Sequence, residues 1–193
     1  MNKQQLIDQI RRKKSFLCVG LDSDSTLLPP HIPQTAEGVL TFNKAIIDAT
    51  ADLVVAYKPN EAFYEPLGAE GLEVLGKTIE YIHNKYPEIM VILDAKRGDI
   101  GNTSAQYARA AFEELGADAV TTAPYMGRDS ISPFLGYNDR WTVLLALTSN
   151  AGSADFQHLR LEDGRLLYQA VLETAADLGK NHYLCPNAIR ILR

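Results

Sequence analysis

The sequence has few cysteines, no surplus of basic residues and no long hydrophobic run. Two cysteines among 193 residues are too few for a disulfide framework. The net charge of −5, with no basic stripe among the 19 Lys and Arg, argues against nucleic acid as a partner. No apolar stretch reaches the roughly 18 residues that predict a membrane span, and the N-terminus carries no secretory signal. We therefore expect a single cytoplasmic domain, residues 1–193, with no membrane partner.

Common cofactor and nucleophile motifs are also missing from the sequence. It contains no G-x-G-x-x-G or Walker motif, no Cys-x-x-Cys pair and no nucleophile-elbow serine. The four histidines lack the spacing of metal ligands. Cys18 lies in an apolar segment, where we expect an unreactive buried thiol. These absences predict chemistry without a metal or an organic cofactor.

What the sequence does contain is a regular alternation of short apolar strands and helices of period 3.6. One predicted helix aligns Val39, Phe42, Ile46 and Ala49 on a single face, and another begins at an Asn102 or Thr103 cap and closes at Gly116. Strands that are apolar almost throughout predict a parallel sheet covered by helices. That leaves a TIM barrel or an open doubly wound sheet. The predicted strands are 15–22, 53–59, 89–96, 117–124 and 141–149; the helix containing Val39 covers 35–52, and the remaining predicted helices are 66–86, 129–135 and 164–179.

Polar residues at the ends of these strands favour the barrel. Asp22 ends the first strand, Lys58 the second, Asp94 and Lys96 the third, and Ser149 the fifth. Active sites of TIM barrels are built at the carboxyl ends of several successive strands. An open sheet more often binds its ligand at one switch point beside a glycine-rich turn. The predicted fold class is thus α/β, an incomplete TIM (β/α)8-type barrel with about five βα units.

Two acids and two bases lie within six positions of "LDAKRGDIGNT", residues 93–103. Residues i and i+2 of a strand share a face, so Asp94 and Lys96 are expected to project together. With Lys58 on the adjacent strand and Asp99 on the following loop, four charges of alternating sign sum to zero. Such a network is either a structural set of ion pairs or a site for acid-base chemistry. We favour the site, because desolvating four ions is costly.

This stretch strongly resembles the signature of the orotidine 5′-phosphate decarboxylase family, D-x-K-x-x-D-I-x-x-T. Supporting segments occur in the family's order: "VGLDSD", "YKPNEAFYE", "TTAPYMGRDS" and "LTSNAGSADFQ". The "KPN" and "APYMG" forms resemble the bacterial branch sometimes called type 2. The resemblance extends from about residue 15 to about residue 180.

The resemblance implies decarboxylation of orotidine 5′-monophosphate (OMP) to uridine 5′-monophosphate (UMP), the last step of pyrimidine nucleotide synthesis. Lys96 matches the residue that protonates C6 of the pyrimidine, and Asp94 the carboxylate that faces the substrate carboxylate. Lys58 matches the residue that holds Asp94 in place and contacts the ribose. Asp22 matches a ligand of the ribose hydroxyls, and Ser149 a hydrogen-bond partner of the pyrimidine ring.

The resemblance also implies a homodimer with shared active sites. The last aspartate of the motif and the threonine after it reach the neighbouring subunit's site in the family. Asp99 and Thr103 match these two residues. The implied partners are the nucleotide and a second copy of the chain, with no metal and no cofactor.

The end of the sequence departs from the family's pattern. A barrel of this type typically has about 250 residues, whereas this chain has 193 and shows five predicted strands. Pro186 and Asn187 interrupt the tail, for which we expect no sixth strand. The glycine-rich phosphate-binding segments expected near the C-terminus are missing. We expect the family's C-terminal third to be lacking, and the chain alone to have little or no activity.

Two other functions stay open at this point. Magnesium-dependent sugar-phosphate decarboxylases of the same superfamily share D-x-K-x-x-D but generally carry an acidic residue where Lys58 stands. A non-catalytic remnant would bind nucleotides or partner subunits without turnover. Metal dependence of the activity tests the first alternative. Lys96→Ala tests the second, because only a decarboxylase has turnover to lose.

Overall fold

The structure is a computed structural model that describes residues 1–181 and 189–192. The chain divides into two compact units, residues 1–95 with 111–119, and residues 96–110 with 120–193. The prediction that residues 1–193 form a single domain stays a prediction. The helices are α1 (Lys3–Lys13), α2 (Ala36–Thr50), α3 (Gly68–Lys85), α4 (Gly101–Arg109) and α5 (Leu167–Asn181); the strands are β1 (Leu17–Leu21), β2 (Val54–Pro59), β3 (Met90–Arg97), β4 (Ala119–Thr122), β5 (Trp141–Leu145) and β6 (Ile189–Leu192).

The first unit contains β1, β2 and β3, which are parallel and adjacent in chain order. The pairing of β1 with β2 shifts by one residue: Leu17 pairs with Val54, but Cys18 pairs with Ala56. After this shift Gly20 lies opposite Lys58. Cys18 is exposed, contrary to the expected burial, because among the described residues of this unit β1 pairs only with β2 and its side chains are left largely uncovered.

Helix α2 buries a face that differs by one position from the predicted one. Val39 is fully buried as expected, but Ala49 is exposed, and Asn43 and Ile47 occupy the core instead. Asn43 is a polar residue in an apolar setting, so hydrophobic periodicity could not find it. Its side chain is saturated by the Ser23 hydroxyl at 2.5 Å, the Tyr64 hydroxyl at 2.9 Å and the Thr78 hydroxyl at 3.2 Å.

The second unit contains the remaining parallel strands and α5, with a core centred on Ile131, Leu144 and Leu178. The prediction of no strand in the tail is wrong for Ile189–Leu192, which pairs in parallel with Thr142–Leu145. Pro186 and Asn187 lie outside the described residues. In the sequence these two residues precede the strand, whose own residues, "IRIL", include the two β-branched isoleucines on either side of Arg190.

Helix α4 begins earlier than predicted. Its first residue is Gly101 and its N-cap position is Ile100, which makes no side-chain capping bond, so Asn102 and Thr103 lie inside the first turn. A π-helical turn at Ala110–Glu114 follows the helix, before Gly116 at a φ of 70°. Within the described part of the chain, every helix is too short or too polar to cross a lipid bilayer.

Candidate active site

The most buried charge of the predicted cluster is the Asp94 carboxylate on β3. Asp94 is only 8% exposed, and its Oδ2 accepts a hydrogen bond from Lys58 Nζ at 3.0 Å. Lys58 lies at the end of β2, and Asn60, just beyond it, forms a parallel bridge with Asp94. The pair forms because the carboxyl ends of neighbouring parallel strands meet at one edge of the sheet. The predicted contact of Lys58 with Asp94 is present.

The electrostatics of the pair keep Lys58 charged. Burial on its own lowers the pKa of Lys58, but the hydrogen bond and charge of Asp94, assisted by Asp22, raise that pKa above its ordinary value. Such an ammonium compensates a carboxylate that would otherwise be costly to bury in its ionised form. The Asp94 carboxylate is thus held in place by the Lys58 ammonium at its Oδ2 oxygen.

Asp22 lies beside this pair and is more accessible. Its side chain is 42% exposed, with Oδ1 at 4.0 Å from Lys58 Nζ. Asn60 Nδ2 donates to the second oxygen, Oδ2, at 3.2 Å. Asn60 was not predicted from the sequence as a site residue. Its position directly after Pro59, at the carboxyl end of a strand, could have indicated it. Asp22, with one oxygen held, can accept hydrogen bonds from a polyol.

Lys96 belongs to the second unit and has an unexpected backbone. Its φ is 50°, in the left-handed region, and the residue is exposed. The rule of alternating faces applies to extended strands, so it does not place Lys96 relative to Asp94. The expected shielding from water is found at Asp94 but not at Lys96. The network of four alternating charges stays a prediction.

The loop after Lys96 is held by side-chain to backbone bonds. The Asp99 N–H donates to Ser104 Oγ at 3.0 Å, and the Ile100 N–H donates to Asp99 Oδ1 at 2.6 Å. Thr103 lies in the first turn of α4 and is partly exposed. Gly98 is required here because a Cβ would lie 2.4 Å from the carbonyl oxygen of Ala123. Asp99 and Thr103 thus occupy a fixed loop and helix start.

Ser149 follows β5 and is exposed. Its neighbour Thr148 is fixed by Gln157, whose Oε1 accepts from the Thr148 N–H at 2.7 Å and whose Nε2 donates to Thr148 Oγ1 at 2.9 Å. Gln157 was not predicted from the sequence, since seven residues of loop separate it from Ser149. The hydrogen bonds of Gln157 fix Thr148, the residue directly before Ser149.

In chemical terms, the first unit contains a buried carboxylate–ammonium pair, Asp94 and Lys58, beside the more accessible carboxylate of Asp22. The second unit contains the exposed Lys96, the Asp99 carboxylate and the hydroxyl groups of Thr103 and Ser149. Groups of these kinds can serve proton transfer and charge stabilisation. Among residues 1–181 and 189–192, no three His, Cys, Asp or Glu side chains are grouped as metal ligands. An α/β fold with charged residues at the carboxyl ends of its strands defines a class of barrel enzymes.

Comparison with known proteins narrows this class. A model described as the orotidine 5′-phosphate decarboxylase / HUMPS family matches residues 15–188. Orotidine 5′-phosphate decarboxylase of Bacteroides fragilis (strain YCH46) is 55% identical over 184 residues, which are 95% of this chain and 67% of that protein. The enzyme of the same name from Porphyromonas gingivalis (strain W83) is 58% identical over 172 residues, 89% of this chain and 62% of the relative. The chain belongs to this family.

Solved structures agree with the sequence relatives. The chain superimposes on Leishmania donovani OMP decarboxylase with a TM-score of 0.81 at 40% identity, covering 96% of this chain and 69% of that one. For Leishmania donovani UMP synthase the TM-score is 0.85 at 40% identity, covering 99% and 39%. The predicted fold class, an incomplete TIM barrel, is confirmed, with a sixth strand beyond the five expected βα units. The chain spans 62–67% of the length of the two curated relatives above.

Proposed function

We propose that this chain carries the decarboxylation machinery for OMP and produces UMP without a metal or cofactor. The observation that carries the proposal is the buried Asp94 carboxylate held 3.0 Å from Lys58 in a chain of this family. A fixed buried charge needs no reorganisation during the reaction, which is where electrostatic catalysis is most effective. The relatives bearing the enzyme's name support this substrate. The reaction would be the last step of pyrimidine synthesis, in the cytoplasm.

In the proposed mechanism Asp94 faces the carboxylate of the substrate. Repulsion between the two raises the energy of the bound ground state more than that of the transition state, in which the substrate's charge moves away as CO2 forms. The C6–carboxylate bond breaks, its electron pair stays on C6, and CO2 leaves. The Lys96 ammonium then donates a proton to C6. Lys58 keeps Asp94 in place throughout.

The remaining candidate residues bind the nucleotide in this scheme. Asp22 accepts hydrogen bonds from the ribose hydroxyls, and Ser149 bonds to the pyrimidine ring. Asp99 and Thr103 act at the site of a second copy of the chain, which makes the active unit a homodimer. These roles rest on the match of each residue to the family's motif.

The test is CO2 release from carboxyl-labelled OMP by the 193-residue chain. We expect slow turnover above a protein-free blank, because the chain spans only 62–67% of the length of the two curated relatives. Lys96→Ala should lower this turnover at least about a hundredfold, the usual contribution of a proton donor. UMP affinity, measured by calorimetry, should persist.

The matched control is Lys14→Ala, since Lys14 is also exposed and also has a φ of 50° but lies at the end of α1. It should leave turnover unchanged. Turnover that equals the blank, or that survives Lys96→Ala, would overturn the proposed function. Turnover as fast as that of full-length relatives would refute the expectation of low activity, and stimulation by magnesium would favour the sugar-phosphate enzymes.

A further inference from the structure

The backbone at Lys96 is the least expected feature of the second unit. A non-glycine residue at a φ of 50° is uncommon, and more so at the end of a strand, where neighbouring residues are extended. Such conformations persist when surrounding contacts over-determine them, and they concentrate at functional sites. The structure must therefore contain groups that hold Lys96 in this state.

Thr121 on β4 supplies such a contact. Thr121 is 1% exposed, and its Oγ1 accepts a hydrogen bond from the Lys96 N–H at 2.9 Å. In a regular parallel ladder the acceptor is a backbone carbonyl of the neighbouring strand. A side-chain hydroxyl satisfies the same donor while allowing the backbone to leave the extended conformation.

The residues that follow are fixed against the same strand end. The Ala123 N–H donates to the carbonyl oxygen of Arg97 at 2.9 Å, and Gly98 approaches Ala123 so closely that no side chain fits. The segment is thus held at the Lys96 N–H and at the two residues that follow it. The hydrogen bond to Thr121 is made by Lys96 itself, whereas the bond from Ala123 is accepted by the next residue, Arg97.

We propose that Thr121 is a positioning residue for the reaction: its hydroxyl holds the left-handed backbone that aims the Lys96 ammonium. This inference rests on the proposed role of Lys96 as the proton donor. In this role Thr121 acts through Lys96 and not on the substrate. Its contribution is to the orientation of the donor, and small errors in orientation lower rates strongly without weakening binding.

The chain offers a matched control on the same strand. Thr122 is also fully buried, and among the described residues its Oγ1 has no hydrogen-bond partner. Replacing either threonine by valine keeps the shape and removes the hydroxyl. Thr122→Val therefore reports the effect of the substitution alone, and Thr121→Ser keeps the acceptor.

The first measurement is hydrogen exchange of the Lys96 amide, followed by NMR, which requires no catalysis. Thr121→Val should accelerate this exchange at least about fivefold, as expected for the loss of one hydrogen bond. Thr121→Ser and Thr122→Val should leave it near the wild-type rate. An unchanged rate in Thr121→Val would overturn the inference. If Thr121→Val fails to fold, Thr121→Ala gives the same comparison.

The second measurement is steady-state decarboxylation. Thr121→Val should lower kcat about tenfold with an unchanged KM, and Thr121→Ser should restore it. Faster exchange without a loss of kcat would show that the bond is structural, and the inference would fall. If the wild-type chain shows no turnover dependent on Lys96, the proposed function fails, and exchange still decides whether Thr121 holds Lys96.

Discussion

Lys14 and Lys96 share one backbone conformation, with φ at 50° in both. Lys14 is the C-cap of α1, where a left-handed residue is common. Lys96 ends a strand, where it is not. For a residue with a Cβ this conformation costs about 1–2 kcal/mol. Lys96, the residue proposed to donate the proton, therefore bears this conformational cost.

Lys96→Gly should therefore be more stable than Lys96→Ala by about 1 kcal/mol, because glycine adopts positive φ freely. It should also abolish turnover. Urea unfolding followed by circular dichroism measures the first effect and CO2 release the second. Lys14→Gly should gain similar stability over Lys14→Ala and keep turnover. Equal stability of Lys96→Gly and Lys96→Ala would contradict the account of backbone strain.

Individual site residues could be predicted from the sequence where the residue type and its place in a strand pattern were enough to identify them. Asp94 and Lys58 were found because each ends an apolar strand and the two charges are opposite. The backbone of Lys96 was not found, since alternation of faces presumes an extended chain. Asn60 was missed because it is uncharged and follows a proline, although it contacts Asp22.

Between elements, the Asp118 carboxylate ties several segments of the first unit together. It accepts hydrogen bonds from the Val91 N–H on β3 at 2.9 Å and from the N-terminal ammonium at 2.9 Å, and lies 3.2 Å from His83 Nε2 on α3. Burial alone would raise the pKa of Asp118, but these partners outweigh it and lower the pKa to about 2. The charged form is thus favoured by folding.

Asp118→Asn should destabilise the chain by about 2–3 kcal/mol at pH 7, the free energy that corresponds to this pKa shift. Because the folded pKa is below the unfolded value of about 3.9, the stabilisation is complete above that value. It is lost as pH falls toward 2. Urea unfolding of both proteins from pH 7 to pH 2 should show the difference shrinking.

The control is Asp163→Asn, since Asp163 is exposed and pairs with Arg165 in solvent. It should change stability little at any pH. A difference between wild type and Asp118→Asn that stays constant with pH would show that the carboxylate charge is not the cause.

The strands and helices themselves were predictable where apolar periodicity was strong. The strand predicted at 53–59 is observed at Val54–Pro59, and the helix predicted at 66–86 is observed at Gly68–Lys85. The helix predicted at 129–135 is instead two short 3-10 turns, Arg128–Ser130 and Ser132–Gly136. Pro133 lacks the N–H that an α-helical turn through this segment would need.

For the whole molecule, alternation of apolar strands and helices sufficed to predict the fold class, and charges at strand ends chose the barrel. The sixth strand was not predicted because Pro186 and Asn187, just before it in the sequence, argued against a strand more strongly than the four residues Ile189–Leu192 argued for one. The contacts that fix the backbone at Lys96 and Asp99 could not be predicted from the sequence, since strand periodicity does not encode them. The proposal of a homodimer with shared active sites can be tested by experiment.

Mixing Lys96→Ala with Asp99→Ala should restore about a quarter of wild-type turnover, because half of randomly formed dimers are mixed and each holds one intact site. Mixing Lys96→Ala with Lys58→Ala should restore no turnover, because in the proposed arrangement both residues act at the site of their own subunit. CO2 release before and after mixing measures this. Failure of the first mixture to regain turnover would exclude the shared site.

The one-residue shift between β1 and β2 sets which way Lys58 faces. Val55 is the extra residue that the shift accommodates, and Lys58 lies three positions further along β2. Since successive side chains of a strand alternate, loss of a single codon here would turn the ammonium to the opposite side and leave Asp94 without its counter-ion. Natural variants should thus tolerate exchanges of side chain in this strand far better than in-frame deletions or insertions.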